Sequence, residues 1–271
     1  MILALPAVVP VVVVLGASLL GAAAQSLGLL PFVGEPTPST RAWSVSPGVL
    51  IRSIGVSVYI AASSTALAVV IGFLIAVYIL AAPRAGRLVA AISAATIPIP
   101  HLIGAAAIGL LLSDAGFLHR ILGMPADFPE LVGGPWFTAV IAEYVWKESA
   151  FVALVVVGSM ARSTAGLCDA AASLGATARQ RIVYVILPLA RPALGVSALI
   201  VFVYTLGAYE APWLLGPTEP EALPVRAVRL FGSVDLDARP EAMATALLAV
   251  AAGAAAILGG AAMLRRLRGF R

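Results

Sequence analysis

The sequence predicts an all-α membrane protein with six transmembrane helices, and three observations lead to this prediction. Of the 271 residues, 61% are hydrophobic and only 11% are charged, whereas about a quarter of the residues in a soluble domain are charged. The hydrophobic residues are spread along the whole length, which excludes a single anchor attached to a soluble domain. They form continuous runs and lack the period-two alternation of membrane β-strands.

Six of these runs are long enough to cross a bilayer as helices. An apolar core of about 30 Å requires roughly 20 helical residues, because unpaired backbone groups in lipid are costly. The predicted spans cover about 4–25, 53–80, 89–113, 136–160, 192–215 and 242–264. A cleaved signal peptide is the alternative for the first run, since residues 22–24 are small. However, no positive residue precedes this run, and it is longer than the usual stretch of about 7–15 apolar residues.

The positions of the arginines predict which side of the membrane each loop faces. Three segments contain ten arginines and one acidic residue; these are the loop 81–88, the stretch 161–191 and the tail after 264. Three others contain six arginines and nine acidic residues; these are the loops 26–52, 114–135 and 216–241. Cytoplasmic loops are enriched in arginine and lysine, so we expect the first set, together with both chain termini, to be cytoplasmic.

Several kinds of site are not expected in this chain. Cys168 is the only cysteine, and His101 and His119 are the only histidines, so we predict no disulfide and no metal site. No catalytic constellation can be assembled, and a net charge of +4 does not indicate nucleic-acid binding in a membrane protein. Lys147, the only lysine, is followed by Glu148, so the chain lacks the Gly-Lys-Ser/Thr sequence of an ATP-binding P-loop.

The stretch 161–191 is predicted to form a helix, a sharp turn and a second helix. Residues 169–174 favour a short helix with an acidic side chain at the positive end of its dipole. Gly175 is suited to the left-handed backbone that ends a helix. Thr177 and Gln180 form the pattern of a capping box, which predicts that the second helix starts near residue 178.

Prolines are expected to interrupt two helices. Pro188 and Pro192 are predicted to end the second helix of the 161–191 stretch and to set the start of the fifth span. Pro98 and Pro100 are predicted to kink the third span, because each removes a backbone hydrogen bond.

The same stretch resembles the permeases of binding-protein-dependent ABC importers. These permeases carry Glu-Ala-Ala, three residues, Gly, nine residues and Ile-x-Leu-Pro. The sequence matches this spacing with Asp169-Ala170-Ala171, Gly175 and Val185-x-Leu187-Pro188. Aspartate replaces glutamate and valine replaces isoleucine. The resemblance implies the type I importer permease fold, with a cytoplasmic coupling helix that docks into a groove of a separate ATPase. It assigns this coupling role to Asp169, Ala170, Ala171, Gly175, Thr177, Leu187 and Pro188.

The resemblance also implies the partners of the chain. Two ATP-binding cassette subunits would bind ATP and Mg, so no cofactor is expected in this chain. A second permease subunit, either identical or different, would complete the translocation path, and an extracytoplasmic binding protein would deliver the substrate. The expected location is the bacterial inner membrane, where lipid surrounds a multi-pass chain.

Ionisable residues inside the predicted spans are candidates for the translocation path. Insertion of a charge at the bilayer centre costs about 2.5–3.5 kcal/mol, so such residues usually face a cavity or a partner. Glu143 and Lys147 are four residues apart, which predicts an ion pair on one helix face; whether it only fixes packing stays open. Glu148 and Glu210 have no cation nearby in sequence and are predicted to line the cavity. Tyr209 and Glu210 belong to a run that resembles the fifth span of spermidine/putrescine-type permeases.

These features favour a permease subunit that does not itself bind ATP. The acidic residues suit a cationic substrate such as a polyamine, although sugars, phosphonates, ferric iron and opines also remain open. A secondary transporter with its own ion coupling is the alternative, but the chain shows no clear internal repeat. An intramembrane enzyme is the third class, and it would require a catalytic constellation.

Overall fold

The computed structural model describes residues 5–44, 47–82, 84–123, 129–160 and 164–268. No β-strand occurs among these residues, and the prediction of an all-α protein is confirmed. The helices are α1 (Leu5–Ser26), α2 (Pro47–Ala81), α3 (Ala85–Thr96), α4 (His101–Leu112), α5 (Phe117–Leu122), α6 (Thr138–Met160), α7 (Thr164–Ser173), α8 (Ala178–Arg181), α9 (Leu187–Gly207), α10 (Glu210–Leu215), α11 (Leu223–Phe231) and α12 (Arg239–Arg268). A π-helical turn, Ile182–Ile186, joins α8 to α9.

Five helical segments are long and apolar enough to cross a membrane. They are Val8–Ser26, Pro47–Ala81, His101–Leu122, Ala178–Gly207 and Leu236–Arg265. A sixth is counted only when α6 is taken together with α7, because α6 itself contains three charged residues. The described residues therefore contain five to six spans by length and composition. The outermost residues, 1–4 and 269–271, lie outside the described part of the chain, and the cytoplasmic location of the termini stays a prediction.

The third predicted span, 89–113, is divided into two helices. α3 ends at Thr96, and α4 begins at His101 after an extended Pro100 with φ −59° and ψ 142°. Pro98 and Pro100 both lack a backbone N–H, and a proline disfavours helical backbone in the residue before it. Two prolines with one residue between them thus cause a break where the sequence predicted a kink.

The fifth predicted span, 192–215, differs from the structure at both ends. Helical backbone runs continuously from Ala178 to Gly207, and a short break at residues 208 and 209 separates it from α10. The expectation that Pro188 and Pro192 end the preceding helix is wrong, because both lie inside α9. The π-helical turn directly before α9 explains this for Pro188, since it changes the hydrogen-bond spacing where the proline would meet the preceding turn.

The chain divides into two compact units, and the larger one comprises Val58–Thr218 with Ala255–Arg271. Apolar residues of α2, α6, the π-helical turn and α9 form its core; these are Ala76, Val152, Ala153, Val156, Met160, Ile186, Ala190 and Val201. Gly72 lets α2 approach α6 closely: a Cβ at this position would lie 2.7 Å from the backbone oxygen of Ser149. Small residues permit this kind of close helix packing in membranes.

The other unit comprises Met1–Ser57 with Glu219–Ala254 and is organised by arginines. Arg226 Nη2 donates to Glu241 Oε1 at 2.5 Å, and Arg229 Nε donates to Glu221 Oε2 at 2.9 Å. The guanidinium of Arg239 lies over the ring of Phe231, 4.0 Å from its centroid. Ion pairs and a cation–π contact therefore hold the polar segments of this unit.

Candidate functional site

The candidate coupling loop is the stretch 161–191, of which residues 161–163 lie outside the described part of the chain. Ala170 and Ala171 lie within α7, and Asp169 lies in the middle of the same helix. The expectation that Asp169 marks the positive end of its helix is wrong, because α7 begins at Thr164, five residues earlier. The Thr164 hydroxyl donates to the carbonyl of Met160 at 2.9 Å, so this residue links the start of α7 to the end of α6.

The turn after α7 has the predicted left-handed geometry at Gly175. Its φ is +82°, and two hydrogen bonds close the helix end. Gly175 N–H donates to Ala172 O at 2.9 Å, and Ala176 N–H donates to Ala171 O at 3.0 Å. These two bonds form a Schellman motif. A Cβ at Gly175 would meet nothing within 4 Å, so the backbone angle, and not crowding, requires glycine here.

The capping box predicted after the turn is confirmed. Thr177 N–H donates to Gln180 Oε1 at 2.8 Å, and Gln180 N–H donates to Thr177 Oγ1 at 3.3 Å. The helix that follows begins at Ala178, as predicted. Leu187 and Pro188 then form the first turn of α9. The loop is thus a helix, a rigid turn and a capped helix that continues directly into a transmembrane segment.

The tip of this loop exposes apolar side chains. Leu174 is 89% exposed and Tyr184 is 74% exposed. A shallow cavity of about 300 Å³ lies between them and is lined also by Ala171, Gly175, Ala176, Gln180, Arg181 and Val185. Exposed apolar residues around a shallow cavity are typical of surfaces that contact another protein.

A cluster of charged residues lies where α4 packs against α6. His101 Nδ1 lies 3.0 Å from Glu143 Oε1, and His101 Nε2 lies 3.5 Å from Glu148 Oε1. Glu143 is completely buried, and Glu148 is 8% exposed. His101 therefore faces an acidic side chain with each of its ring nitrogens. The expected Glu143–Lys147 ion pair is not formed among the described residues, because Glu143 is hydrogen-bonded to His101 instead.

Lys147 contacts the break in the third predicted span. Its ammonium group donates a hydrogen bond to the backbone carbonyl of Ile99, which lies between the two prolines of the break. Lys147 is 6% exposed. Gly104 lets α4 approach α6 closely, since a Cβ at this position would lie 2.8 Å from Glu143 Oε1. α6 thus supplies a cation to the broken backbone and two acids to the first residue of α4.

Aromatic rings surround His101. The ring centroids of His101 and Tyr204 are 4.9 Å apart, and those of His101 and Tyr144 are 5.9 Å apart. The buried Tyr144 hydroxyl has no hydrogen-bond partner within the described residues. These rings come from α6 and α9, so three helices meet at His101.

The acid predicted near the end of the fifth span has no such partner. Glu210 is partly buried at the start of α10 and lies within electrostatic range of the hydroxyls of Tyr144 and Tyr204. In the described part of the chain, it forms no hydrogen bond and no ion pair with another side chain. Tyr209 stacks on the 54% exposed Trp213, with ring centroids 5.6 Å apart. Of the three acids in the spans, Glu210 is the one without a basic side chain beside it among the described residues.

The residue that sequence reasoning missed is His101, the partner of two membrane-embedded acids. Its distance in sequence from Glu143 and Glu148 hid the contact, since only neighbours on one helix can be paired by spacing. The available signal was its own position. An ionisable residue inside an apolar run usually faces a partner, and His101 directly follows the proline break.

Comparison with solved structures reveals the same fold in transport proteins. A bacterial ABC transporter involved in the import of the acidic polysaccharide alginate aligns over 97% of this chain and 94% of its own, with 20% identity and a TM-score of 0.80. The inward-facing MetNI methionine ABC transporter aligns over 80% and 95%, with 20% identity and a TM-score of 0.62. The chain has the fold of an ABC importer permease.

A comparison of sequences also finds an ABC transporter permease, but the similarity covers only a short stretch. Over 74 residues the chain is 39% identical to the inner membrane ABC transporter permease protein YdcU of Escherichia coli (strain K12). This match spans 27% of the chain and 23% of that relative's length. No family model matches the sequence. The importer permease fold thus rests on whole-chain similarity in structure, and the similarity in sequence is local.

Proposed function

We propose that the chain is the permease subunit of an ATP-driven ABC importer and forms part of a substrate path across the bacterial inner membrane. The observation that supports this most strongly is the helix–turn–helix geometry of the coupling loop, in a chain of which 97% aligns with a chain of the alginate ABC transporter. The same loop has no evident purpose in a secondary transporter, which is therefore the less favoured alternative.

The exposed tip of the loop is the proposed docking surface for the ATPase. Leu174 and Tyr184 are apolar or aromatic and largely exposed, and the Schellman turn and capping box hold the backbone between them. A rigid protrusion can transmit force from a partner that moves during ATP hydrolysis. ATP and Mg would bind to two such ATPase subunits, and a second permease subunit and an external binding protein would complete the importer.

Copurification with the ATPase tests this docking surface. We expect Leu174→Asp to reduce recovery of a Walker-A ATPase encoded beside the gene by at least tenfold, because a charge at the tip prevents apolar contact. Val234→Asp is the matched control, since Val234 is 99% exposed but lies in the loop 216–241, which is predicted to face outwards. Equal recovery with both variants would contradict the proposed surface, provided that both chains reach the membrane.

A small organic cation such as a polyamine is the proposed substrate class. The support is Glu210, an acid near the outer end of the fifth span that has no cationic partner among the described residues and lies within electrostatic range of the Tyr204 hydroxyl. An unpartnered carboxylate with aromatic side chains in its neighbourhood is a favourable environment for an organic cation. Glu143 and Glu148 offer less support than the sequence predicted, because both already face His101.

Glu210→Gln tests the substrate class, because it removes the charge at nearly constant shape. With radiolabelled putrescine as the probe, we expect uptake into vesicles to fall at least tenfold while the ATPase still copurifies. Val234→Asp again serves as the control and should transport normally. Unchanged putrescine uptake in Glu210→Gln would contradict the role of this acid, and loss of ATPase copurification would indicate a structural role instead.

A further inference from the structure

The break between α3 and α4 leaves a backbone carbonyl without a backbone hydrogen-bond donor inside the membrane. Ile99 has proline on both sides, and no described backbone N–H donates to its carbonyl, because the N–H groups of Ile103 and Gly104 both donate to Pro100. Backbone groups without a partner are costly in a region that excludes water. Lys147 supplies the donor, but a lysine at this depth brings a positive charge that must itself be compensated.

When both acids are ionised, the charges of the cluster cancel only if His101 is protonated. Glu143 and Glu148 contribute two negative charges, and Lys147 contributes one positive charge. A neutral imidazole has one N–H and can donate to only one of the two carboxylates that it faces. A protonated ring can donate towards both of them, and it brings the net charge of the four groups to zero.

No other described group that faces His101 is basic, so none of them can compensate the second acid. The groups that face His101 are Glu143, Tyr144 and Glu148 from α6 and Tyr204 from α9, and Glu210 of α10 lies within range of both tyrosines. All of these are acidic or neutral. Among the described residues, His101 is therefore the only basic side chain within 4 Å of either acid of the cluster.

We propose that four ionisable residues form a clasp that holds the broken third span against α6. They are His101, Glu143, Lys147 and Glu148. The clasp explains why α6 carries three charges although each of them opposes insertion. It assigns Glu143 and Glu148 to positioning and leaves them no direct role in substrate binding.

The position of the clasp gives it a part in coupling, which rests on the proposed function. α6 ends at Met160, and the candidate coupling loop begins at the next residue. Lys147 lies about 20 Å from this end, at 1.5 Å per helical residue. When the loop moves with the ATPase, the clasp makes α4 move together with α6, so that the motion reaches the middle of the membrane.

Charge compensation between two positions tests the clasp. We expect His101→Gln to lower the thermal midpoint of the purified full chain by about 10 °C, because it leaves a buried acid unpaired. Glu148→Gln alone should stay near the wild type, since His101 can then be neutral. The double variant H101Q/E148Q should recover to the midpoint of Glu148→Gln, because Lys147 and Glu143 balance each other.

The matched control replaces an acid outside the clasp. H101Q/E210Q should remain as unstable as His101→Gln, since Glu210 forms no ion pair with His101. If His101→Gln alone does not accumulate in the membrane, recovery of its yield by E148Q and not by E210Q gives the same result. A wild-type midpoint for His101→Gln, or equal rescue by both acid replacements, would overturn the clasp.

The coupling role has its own readout in the assembled importer. In nanodiscs that contain the ATPase, we expect His101→Gln to lower ATP hydrolysis stimulated by the binding protein at least fivefold and H101Q/E148Q to restore most of it. A stable His101→Gln complex with normal stimulation would contradict the coupling role. If the wild-type chain bound no ATPase, the proposed function would fail, whereas the thermal midpoints would still decide whether the clasp exists.

Discussion

At the scale of single residues, backbone geometry requires Gly175 and electrostatics requires Glu143. The backbone of Gly175 is left-handed, with φ +82°, and open space surrounds the position of a Cβ. Glu143 is fully buried and hydrogen-bonded to His101. Substitutions at the two positions should therefore fail in different ways, the first in local geometry and the second in stability.

Gly175→Ala is expected to disturb the coupling loop without unfolding the chain. A left-handed backbone costs an alanine about 1–2 kcal/mol, so the Schellman turn should open in a large fraction of molecules. We expect stimulated ATP hydrolysis to fall several-fold while membrane insertion survives. Gly166→Ala is the control, because Gly166 lies in α7 with a free Cβ position and a regular backbone. Full stimulation in Gly175→Ala would contradict a coupling role for this turn.

At the scale of helices, close approach and interruption determine the packing. α2 reaches α6 through Gly72, α4 reaches α6 through Gly104, and the core between α2, α6 and α9 consists largely of alanine and valine. Helices in lipid gain little from apolar burial, so this fit between small residues contributes much of their association.

Gly72→Ala tests how tightly α2 packs on α6. The added Cβ would lie 2.7 Å from a backbone oxygen and from Val152 Cβ, and overpacking of this kind costs about 1–3 kcal/mol. We expect a lower thermal midpoint for the purified chain. Gly55→Ala is the control on the same helix, because its Cβ would meet nothing within 4 Å, and it should be neutral or slightly stabilising. Equal thermal midpoints for the two variants would show that α2 and α6 leave room for a Cβ at position 72, which contradicts the close packing of these helices.

The sequence predicted the helices better than their interruptions. The Gly175 turn and the Thr177 capping box depend on residues within five positions of each other, and both were predicted correctly. The two prolines predicted a kink where the structure has a break, because the lysine of another helix that donates to the broken backbone cannot be found from local sequence. Pro188 was misjudged for the related reason that a π-helical turn accommodates it. The sequence placed Asp169 at the start of its helix, but α7 begins five residues earlier, at Thr164.

The candidate site shows the same division between local and distant contacts. The residues of the coupling loop could be named from the resemblance to importer permeases, since the motif that carries it is continuous in sequence. The contact of His101 with Glu143 and Glu148 spans more than 40 residues, and it follows from the packing of α4 on α6, which no periodicity specifies. Spacing instead predicted a Glu143–Lys147 pair, which is replaced by a contact of Lys147 with the broken backbone.

At the scale of the whole molecule, orientation is the prediction that follows most directly from charge. We expect single cysteines at Ser39 and Ser233, in a Cys168→Ala background, to react with a membrane-impermeant maleimide in intact spheroplasts. A cysteine at the exposed Ser173 of α7 should react only after permeabilisation, because the arginine-rich segments face the cytoplasm. Labelling of position 173 from outside would reverse the orientation and remove the coupling loop from the reach of a cytoplasmic ATPase.

The importer function implies that the chain transports nothing without ATP hydrolysis by a partner. The direct measurement is ATP hydrolysis and putrescine uptake in proteoliposomes containing the chain, its neighbouring ATPase and the binding protein. We expect the loaded binding protein to stimulate ATP hydrolysis several-fold, and uptake to require ATP and to be unaffected by collapse of ion gradients. Uptake by the chain alone, driven by an imposed proton or sodium gradient, would contradict the ABC permease function and support the secondary transporter.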